Sequence, residues 1–314
     1  MNVDVVIVSH NSERDIARCL ASVLGNGAHP VVVDTGSTDA TMHLLARDFP
    51  GVRVLHSPCN GYARAANLGF ANTSSPITIL SNADVIFPPR SVLRLYRCLT
   101  QHPAIGVLGA QQVFPDGSWQ RSWGAVTGAR EVIAEALGLT TLMNGARSVL
   151  WPRFAGHIPN DVGYVDGAIM AIRRATFDSV SGLDERFWFS SEDADFCVRA
   201  RQAGWRVAVL PSVGIIHRRG GSSDLRDWSV QRKTAAFVDG TRIFLAKHRG
   251  PFFAKWYFAA KRLSNFNLML LSELARRVAP RQYHPYLSRK AKIHRSYVEN
   301  LRSGAKQVPA EAFL

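Results

Sequence analysis

The segment Val5-Val6-Ile7-Val8-Ser9-His10-Asn11-Ser12-Glu13-Arg14-Asp15-Ile16-Ala17-Arg18-Cys19-Leu20-Ala21-Ser22-Val23-Leu24-Gly25 decides the fold class. Four β-branched residues in a row, Val5 to Val8, read as a strand buried on both faces, because a half-buried strand would alternate. Ser12 then has the chemistry of an N-cap. Ile16, Leu20, Val23 and Leu24 share one helical face, and Gly25 is a natural stop. A β run followed at once by a helical period is a β–α unit.

The unit recurs along the first half. Val31-Val32-Val33 is a second strand, and Met42, Leu45 and Phe49 are the apolar face of a second helix. Val52-Arg53-Val54-Leu55 is a third strand, Tyr62 to Ala71 a third helix, and Ile77-Thr78-Ile79-Leu80 a fourth strand. Pro88-Pro89 is expected in the first turn of the next helix. Strand character returns over Val165 to Ile172, at Val207-Ala208-Val209-Leu210 and at Val213-Gly214-Ile215-Ile216. The expected class is α/β, a mainly parallel sheet flanked by helices. The middle, about Pro115 to Pro159, is rich in Trp, Gly and Arg; it is expected to hold one helix around Arg130 to Leu139 and to serve as a wall or lid.

The chain has 314 residues and a net charge of +14, distributed unevenly. Residues 1–217 carry 18 Arg, no Lys and 18 Asp and Glu; residues 218–314 carry the remaining 20 Lys and Arg against 6 acids. A neutral body with a basic tail calls for an anionic partner of the tail: nucleic acid, a phosphorylated substrate or an acidic bilayer surface. No nucleic-acid-reading motif accompanies the charge and the body supplies no basic groove, so a nucleic-acid-binding protein is the remote alternative, and no nucleic acid is expected. The tail mixes aromatics and cations over Phe252 to Arg262, followed by Leu268-Met269-Leu270-Leu271, Leu274 and Val278, the composition of an interfacial helix. The bland alternative is a helix packed on the body with a solvated basic face. Cys19, Cys59, Cys98 and Cys197 form no CxxC pair, so reduced thiols are expected. Neither a signal peptide nor a bilayer-spanning run is expected.

In a parallel sheet, ligands bind beyond the carboxyl ends of strands. Polar clusters recur there: Ser9-His10-Asn11, then Asp34-Thr35-Gly36-Ser37-Thr38-Asp39, then Asn60-Gly61 with Arg64 and Asn67, then Ser81-Asn82-Ala83-Asp84. Each alone is ordinary turn chemistry; four in succession are not. GxGxxG and GxxxxGK[ST] are both absent, so a bound nucleotide would be held by side chains and a metal. Asp84 is the candidate carboxylate for Mg²⁺ or Mn²⁺. His217, before Arg218-Arg219-Gly220-Gly221, could be a further ligand or contact phosphate. The stretch Phe189-Ser190-Ser191-Glu192-Asp193-Ala194-Asp195 sets three acids at a helix start. Capping alone accounts for one of them; a carboxylate at a cleft edge could also take a proton from a substrate hydroxyl. The helix N-terminus is expected to lower the pKa of Asp193.

These motifs carry a resemblance. VVIVSHNSERDIARCLASVL, VVVDTGSTDAT, NGYARAANLG, SNAD, GLDERFWFSSEDADFCVRARQAGWRV and IIHRRGGSS stand in the order seen in family 2 glycosyltransferases of the GT-A fold, over about residues 3–223. The set looks closest to the bacterial rhamnosyltransferase-like subgroup. TRIFLAKHRG further resembles the tails of mycobacterial-type enzymes that add rhamnose to polyprenyl-diphosphate-linked N-acetylglucosamine. The resemblance implies a GT-A domain over 1–223, with a donor half to about 112 and an acceptor and catalytic half from about 113, and a basic helical membrane-associating extension over 224–314.

Residue by residue, the resemblance implies that Ser9, Asn11 and Asp34 hold the nucleotide base and ribose, with His10 and Ser37 also on the donor, while Asn60, Arg64 and Asn67 line the donor pocket. Asn82 and Asp84 match the DxD position, Asn82 replacing its first acid; Ser81 and Asn82 would contact the donor, and Asp84 and His217 are the metal ligands. Thr35 and Ala40 also depart from the commoner residues. Arg218 and Arg219 would contact the diphosphate. Asp193 matches the catalytic base, with Glu192, Gly167 and Trp188 toward the acceptor. The expected reaction is inverting transfer of a sugar, most simply L-rhamnose from dTDP-rhamnose, onto a polyprenyl-diphosphate-linked or other glycan acceptor. The expected location is cytoplasmic, at the inner face of the plasma membrane. A UDP-hexose or UDP-N-acetylhexosamine donor is the alternative, and a nucleotide-sugar-binding protein without turnover is a third reading.

Overall fold

The computed structural model describes residues 1–58, 61–126, 128, 133, 160–219 and 230–302. The expected helix around Arg130 to Leu139, Cys59, Asn60, Gly220 and Gly221 lie outside these, apart from Ile133. The described residues fall in two compact units, one holding residues up to 126 with 160–188 and 192–219, the other holding 230–302 with 128, 133 and 189–191.

In the first unit, β1 (Val3–Ser9), β2 (His29–Asp34), β3 (Arg53–His56) and β4 (Ile77–Asn82) alternate with α1 (Ile16–Gly25), α2 (Thr41–Asp48) and α3 (Tyr62–Ala71). The unbroken β-branched run of β1 follows from burial on both sides. Val5 and Ile7 join one apolar cluster with Ile16, Leu20 and Val23 of α1. Val6 and Val8 point the other way, into a second cluster with Ala63, Ala66 and Phe70 of α3. A Cβ on Gly69 would lie 2.2 Å from Cγ1 of Val6, so α3 rests directly on the sheet.

Then follow β5 (Val85–Ile86), α4 (Ser91–Gln101), β6 (Ile105–Val113), β7 (Trp119–Gln120), β8 (Trp123–Gly124), β9 (Asn160–Asp161), β10 (Tyr164–Val165), β11 (Ile169–Arg173), α5 (Arg174–Ser179), α6 (Glu192–Gln202) and β12 (Arg206–His217). The large sheet runs β3-β2-β1-β4-β11-β6-β12-β5. The β1, β2, β3 and β4 pairings are parallel, as is β6 with β12, while β11 runs antiparallel to both β4 and β6. The chain leaves β1 for β2 and returns to its other side as β4, which makes the β1–β4 end a switch point where ligands bind.

The structure departs from the local sequence pattern at several places. Helix α1 starts at Ile16 with Asp15 as N-cap, because a turn over residues 13–15 intervenes; the Ser12 carbonyl accepts from Asp15 and Ile16 N–H, and its hydroxyl donates to the His10 carbonyl. Pro88-Pro89 precedes α4 rather than opening it, since Arg90 is left-handed (φ 66°) just before Ser91. The strand expected over Val165 to Ile172 is broken by a turn at Asp166 to Ala168. The two strands expected at 207–210 and 213–216 are one strand with a register shift between Leu210 and Gly214. Strand β6 was not anticipated. Cys19, Cys98 and Cys197 are buried free thiols.

The second unit is helical: α7 (Val230–His248), α8 (Pro251–Val278), a 3₁₀ turn (Arg281–Tyr283) and α9 (His284–Arg302). Gly250 (φ 84°) and Pro251 separate α7 from α8. Helix α9 packs on α7 and α8 through polar as well as apolar contacts. Thr234 and Ser296 hydroxyls lie 2.6 Å apart, Asn300 donates to Thr234, and the His294 ring bonds the Asn265 amide oxygen at 2.9 Å. No described helix is long and apolar enough to cross a bilayer.

Candidate active site

Strand register brings the polar ends together. Ser9 pairs with Asp34 across β1–β2, and Val8 with Asn82 across β1–β4. The first of these ends is a tight knot. Asp34 is buried, and its carboxylate accepts the N–H groups of Gly36 and Ser37 and the Ser37 hydroxyl. Asn11, at φ 45°, donates its own N–H to Ser37 Oγ, and its side-chain oxygen accepts from Thr38 N–H at 2.8 Å. The His10 ring contacts the Thr35 carbonyl. The Ser9 hydroxyl is buried with no hydrogen-bond partner among the described residues. Asp34 and Asn11 thus shape the loop, and Ser9 has capacity to spare.

Arg64 and Asn67 lead elsewhere. Asn67 donates to the Leu183 carbonyl and accepts from the Leu183 N–H, both at 2.9 Å, clamping the turn after Gly182. Arg64 and Asn67 also bond the Glu185 carboxylate. Ser81 donates to the Asn82 carbonyl, and the Asn82 N–H donates to the Ala168 carbonyl.

At the end of β12, His217 is buried with Nε2 3.3 Å from Oδ1 of Asp84, itself buried. Its Nδ1 lies 2.7 Å and 2.8 Å from the side-chain oxygens of Gln112 and Gln120. Gln120 donates its amide N–H to the His217 carbonyl, which fixes the oxygen toward the ring. The network therefore assigns the proton to Nδ1 and turns Nε2 toward Asp84. An imidazole nitrogen and a carboxylate oxygen converging in this way fit a divalent cation, with an outer pair of amides orienting the ring. Among the described residues no group of three or more His, Cys, Asp or Glu stands together that could hold a metal ion, so on the protein side the pair of Asp84 and His217 is incomplete as a cation site. Arg218 donates its backbone N–H to the Asp84 carbonyl and ion-pairs through its guanidinium with Asp15. Arg219 lies 3.6 Å from Asp166.

Helix α6 delivers the acids. Ser190 and Ser191 both hold left-handed φ (73° and 70°) just before it. Of the three acids, Asp195 is structural, fully buried and ion-paired with Arg199 at 2.7 Å. Asp193 accepts the Gly167 N–H at 2.9 Å and the Ala194 N–H at 2.7 Å. Gly167 also accepts the Tyr62 hydroxyl at 2.9 Å, and the Trp188 carbonyl accepts the Tyr62 N–H. Thus Gly167 and Trp188, expected toward an acceptor, bond through their backbones to groups that frame Asp193. Glu192 is buried, and its Oε2 has no hydrogen-bond partner among the described residues.

The electrostatics reverse the expectation for the helix N-terminus. Burial, then the Asp166 charge, push Asp193 up to about 6 despite its two N–H donors. Burial and the neighbouring Asp193 push Glu192 up to about 8. Burial, then the charges of Glu192, Asp193, Asp166 and Asp84, raise the Tyr62 phenol well above its ordinary value. A neutral Glu192 can donate a hydrogen bond while ionised Asp193 accepts a proton, two roles from one dipeptide. Sequence reasoning missed Asp166, Tyr62, Gln112 and Gln120. Only Asp166-Gly167 left a local trace, as an Asp-Gly turn signal.

A family model described as Glycosyl transferase family 2 matches residues 4–180. An N-acetylglucosaminyl-diphospho-decaprenol L-rhamnosyltransferase of Mycobacterium tuberculosis is 29% identical over 304 residues, spanning 87% of this chain and 94% of the relative. A pre-mycofactocin glycosyltransferase of the same species is 28% identical over 251 residues, 78% of this chain and 47% of the relative. Two solved structures share the fold. GalNAc-T7 with UDP, GalNAc and Mn²⁺ superposes with a TM-score of 0.56 at 13% identity, covering 98% of this chain and 58% of the other. The mannosyltransferase PcManGT of Pyrobaculum calidifontis, in complex with GDP-Man and Mn²⁺, gives 0.50 at 17% identity, covering 99% and 78%. With its mixed α/β sheet, its strand-end site and a family match over more than half its length, this chain belongs to glycosyl transferase family 2 and is a glycosyltransferase.

Proposed function

We propose that the chain transfers L-rhamnose from dTDP-rhamnose, with inversion, to a polyprenyl-diphosphate-linked N-acetylglucosamine. The observation that carries the mechanism is Asp193, a carboxylate held by two backbone N–H groups and raised to about 6 among other acids. A base of that strength is ionised at neutral pH and stronger than an exposed carboxylate. Similarity along nearly the full length of the rhamnosyltransferase relative supports the choice of sugar and acceptor.

In this reading Asp193 takes the acceptor hydroxyl proton as that oxygen attacks the anomeric carbon, and the bond to the nucleoside diphosphate breaks on the opposite face. Glu192, protonated at neutral pH, donates to an acceptor oxygen and orients it. Ser9, Asn11, Asp34 and Ser37 frame the nucleotide, and Asn82, Arg218 and Arg219 sit on the diphosphate side. Asp84 and His217 would hold Mg²⁺ or Mn²⁺, which when bound offsets charge on the leaving diphosphate. The basic C-terminal segment would keep the chain at an anionic membrane surface.

The test is a donor screen with dTDP-rhamnose, UDP-galactose, UDP-glucose and UDP-N-acetylglucosamine, with short-chain polyprenyl-diphosphate-N-acetylglucosamine as acceptor, with Mg²⁺ or Mn²⁺ and with EDTA. The expected result is EDTA-sensitive turnover of dTDP-rhamnose and an inverted linkage by NMR. Turnover of a UDP-sugar alone would discard the rhamnosyl assignment.

A further inference from the structure

Helix α8 leaves one face without a partner among the described residues. Eight of the fourteen exposed large apolar side chains lie on this helix. Phe252, Trp256, Leu263, Phe266, Leu270 and Leu274 fall within an arc of about 80° at 100° per residue. The buried residues of α8, Ala254, Ser264 and Asn265, lie on the opposite side, where Asn265 meets His294 of α9. The apolar stripe therefore points away from the helices against which α8 packs. Six exposed large apolar side chains aligned on one helix face, rather than scattered singly, mark an interaction surface.

Charge selects the partner. Exposed Lys255, Arg262 and Arg277 border the stripe or sit on it. The acid at its edge, Glu273, is held by Arg276 at 3.3 Å and by Arg295 at 3.5 Å. Net positive charge beside an apolar stripe with Trp and Phe suits the headgroup region of an anionic bilayer, with the aromatics at the acyl boundary. A second copy of this chain would set these cations against their own kind.

We infer that α8 is an in-plane membrane-docking helix, the stripe from Phe252 to Leu274 entering an anionic leaflet while Lys255, Arg262 and Arg277 meet lipid phosphates. This deepens the proposed reaction on a lipid-linked acceptor, and its biological use rests on that reading.

The experiment is flotation of the full chain with phosphatidylglycerol/phosphatidylcholine vesicles and with pure phosphatidylcholine, at low and high salt. Wild type is expected to float with the anionic vesicles in a salt-sensitive way. The Leu263→Glu/Leu270→Glu pair should lower the bound fraction at least tenfold with unchanged helicity by circular dichroism. Lys255→Glu/Arg262→Glu should lose the preference for anionic vesicles, and Leu24→Glu, on α1, should float like wild type. Flotation of the stripe variant at the wild-type level overturns the inference. So does a wild type that ignores vesicles but is dimeric by light scattering and made monomeric by the stripe variant. Transfer to a water-soluble acceptor analogue is read in parallel. Normal flotation with no turnover by wild type upholds the surface and counts against the proposed reaction instead.

Discussion

The backbone N–H of Gly167 donates to Oδ2 of Asp193 across 2.9 Å, although the two residues stand 26 apart in sequence. That bond ties the turn between β10 and β11 to the start of α6 and sets the direction of the carboxylate. A Cβ on Gly167 would come within 3.3 Å of the Asp193 Cβ. Gly167→Ala is therefore expected to displace the carboxylate slightly, lowering kcat about tenfold with little change in donor KM, since small misplacements of a reacting group are costly. Steady-state kinetics check this; a rise in donor KM alone would argue that Gly167 touches the donor.

Protonation of Glu192 links the site to stability. Its carboxyl moves from 4.5 to about 8 on folding. Between those values the folded chain keeps a proton that the unfolded chain releases, so this group's stabilising contribution falls as pH rises from about 4.5 to 8. Glu192→Gln removes that slope. Its Tm relative to wild type should climb through this window by on the order of a few degrees and level off above pH 8. A difference that does not change with pH would place Glu192 in a more solvated setting.

The amides behind His217 are expected to act through it. The double variant Gln112→Leu/Gln120→Leu deletes both acceptors of Nδ1. Mn²⁺ affinity in the presence of dTDP, read by electron paramagnetic resonance, should weaken about 10–100-fold. Unchanged affinity would mean that the ring needs no such support or does not bind the ion.

Asn67 gives the opposite kind of prediction. Its side chain satisfies both backbone groups of Leu183, so Asn67→Ala should cost about 1–3 kcal/mol of stability. Thermal melts should register that loss while dTDP affinity by calorimetry stays near the wild-type value. The reverse pattern would return Asn67 to the donor pocket.

How much of this was legible differs by element. Strands β1, β2 and β4 announced themselves because the sheet is covered on both faces and tolerates only apolar, largely β-branched residues at its centre. Strand β6 did not: Ile105-Gly106-Val107-Leu108-Gly109-Ala110-Gln111-Gln112-Val113 interrupts its apolar run with glycines and sets two glutamines before its last residue. Gly106 and Gly109 are there because Thr176 and Val165 press against the backbone, and Gln111 and Gln112 are fully buried yet hydrogen-bonded. Such reasons are tertiary and leave no periodicity. At the site, Asp84, Glu192, Asp193 and His217 stood out as polar residues at element ends. Asp166, Tyr62, Gln112 and Gln120 reach them only through folding, Gln112 from 105 positions away. The direction of the Asp193 shift was misjudged for a related reason: a helix N-terminus is visible in sequence, whereas burial among other carboxylates is not.

The most direct measurement is kcat for rhamnosyl transfer by wild type and Asp193→Asn as a function of pH, with dTDP-rhamnose saturating. The wild-type rate is expected to fall as pH drops below about 6, as the base protonates, and the variant to be slower by about 10²–10⁴-fold while still binding dTDP. A variant that turns over at close to the wild-type rate would contradict the assignment of Asp193 as the base.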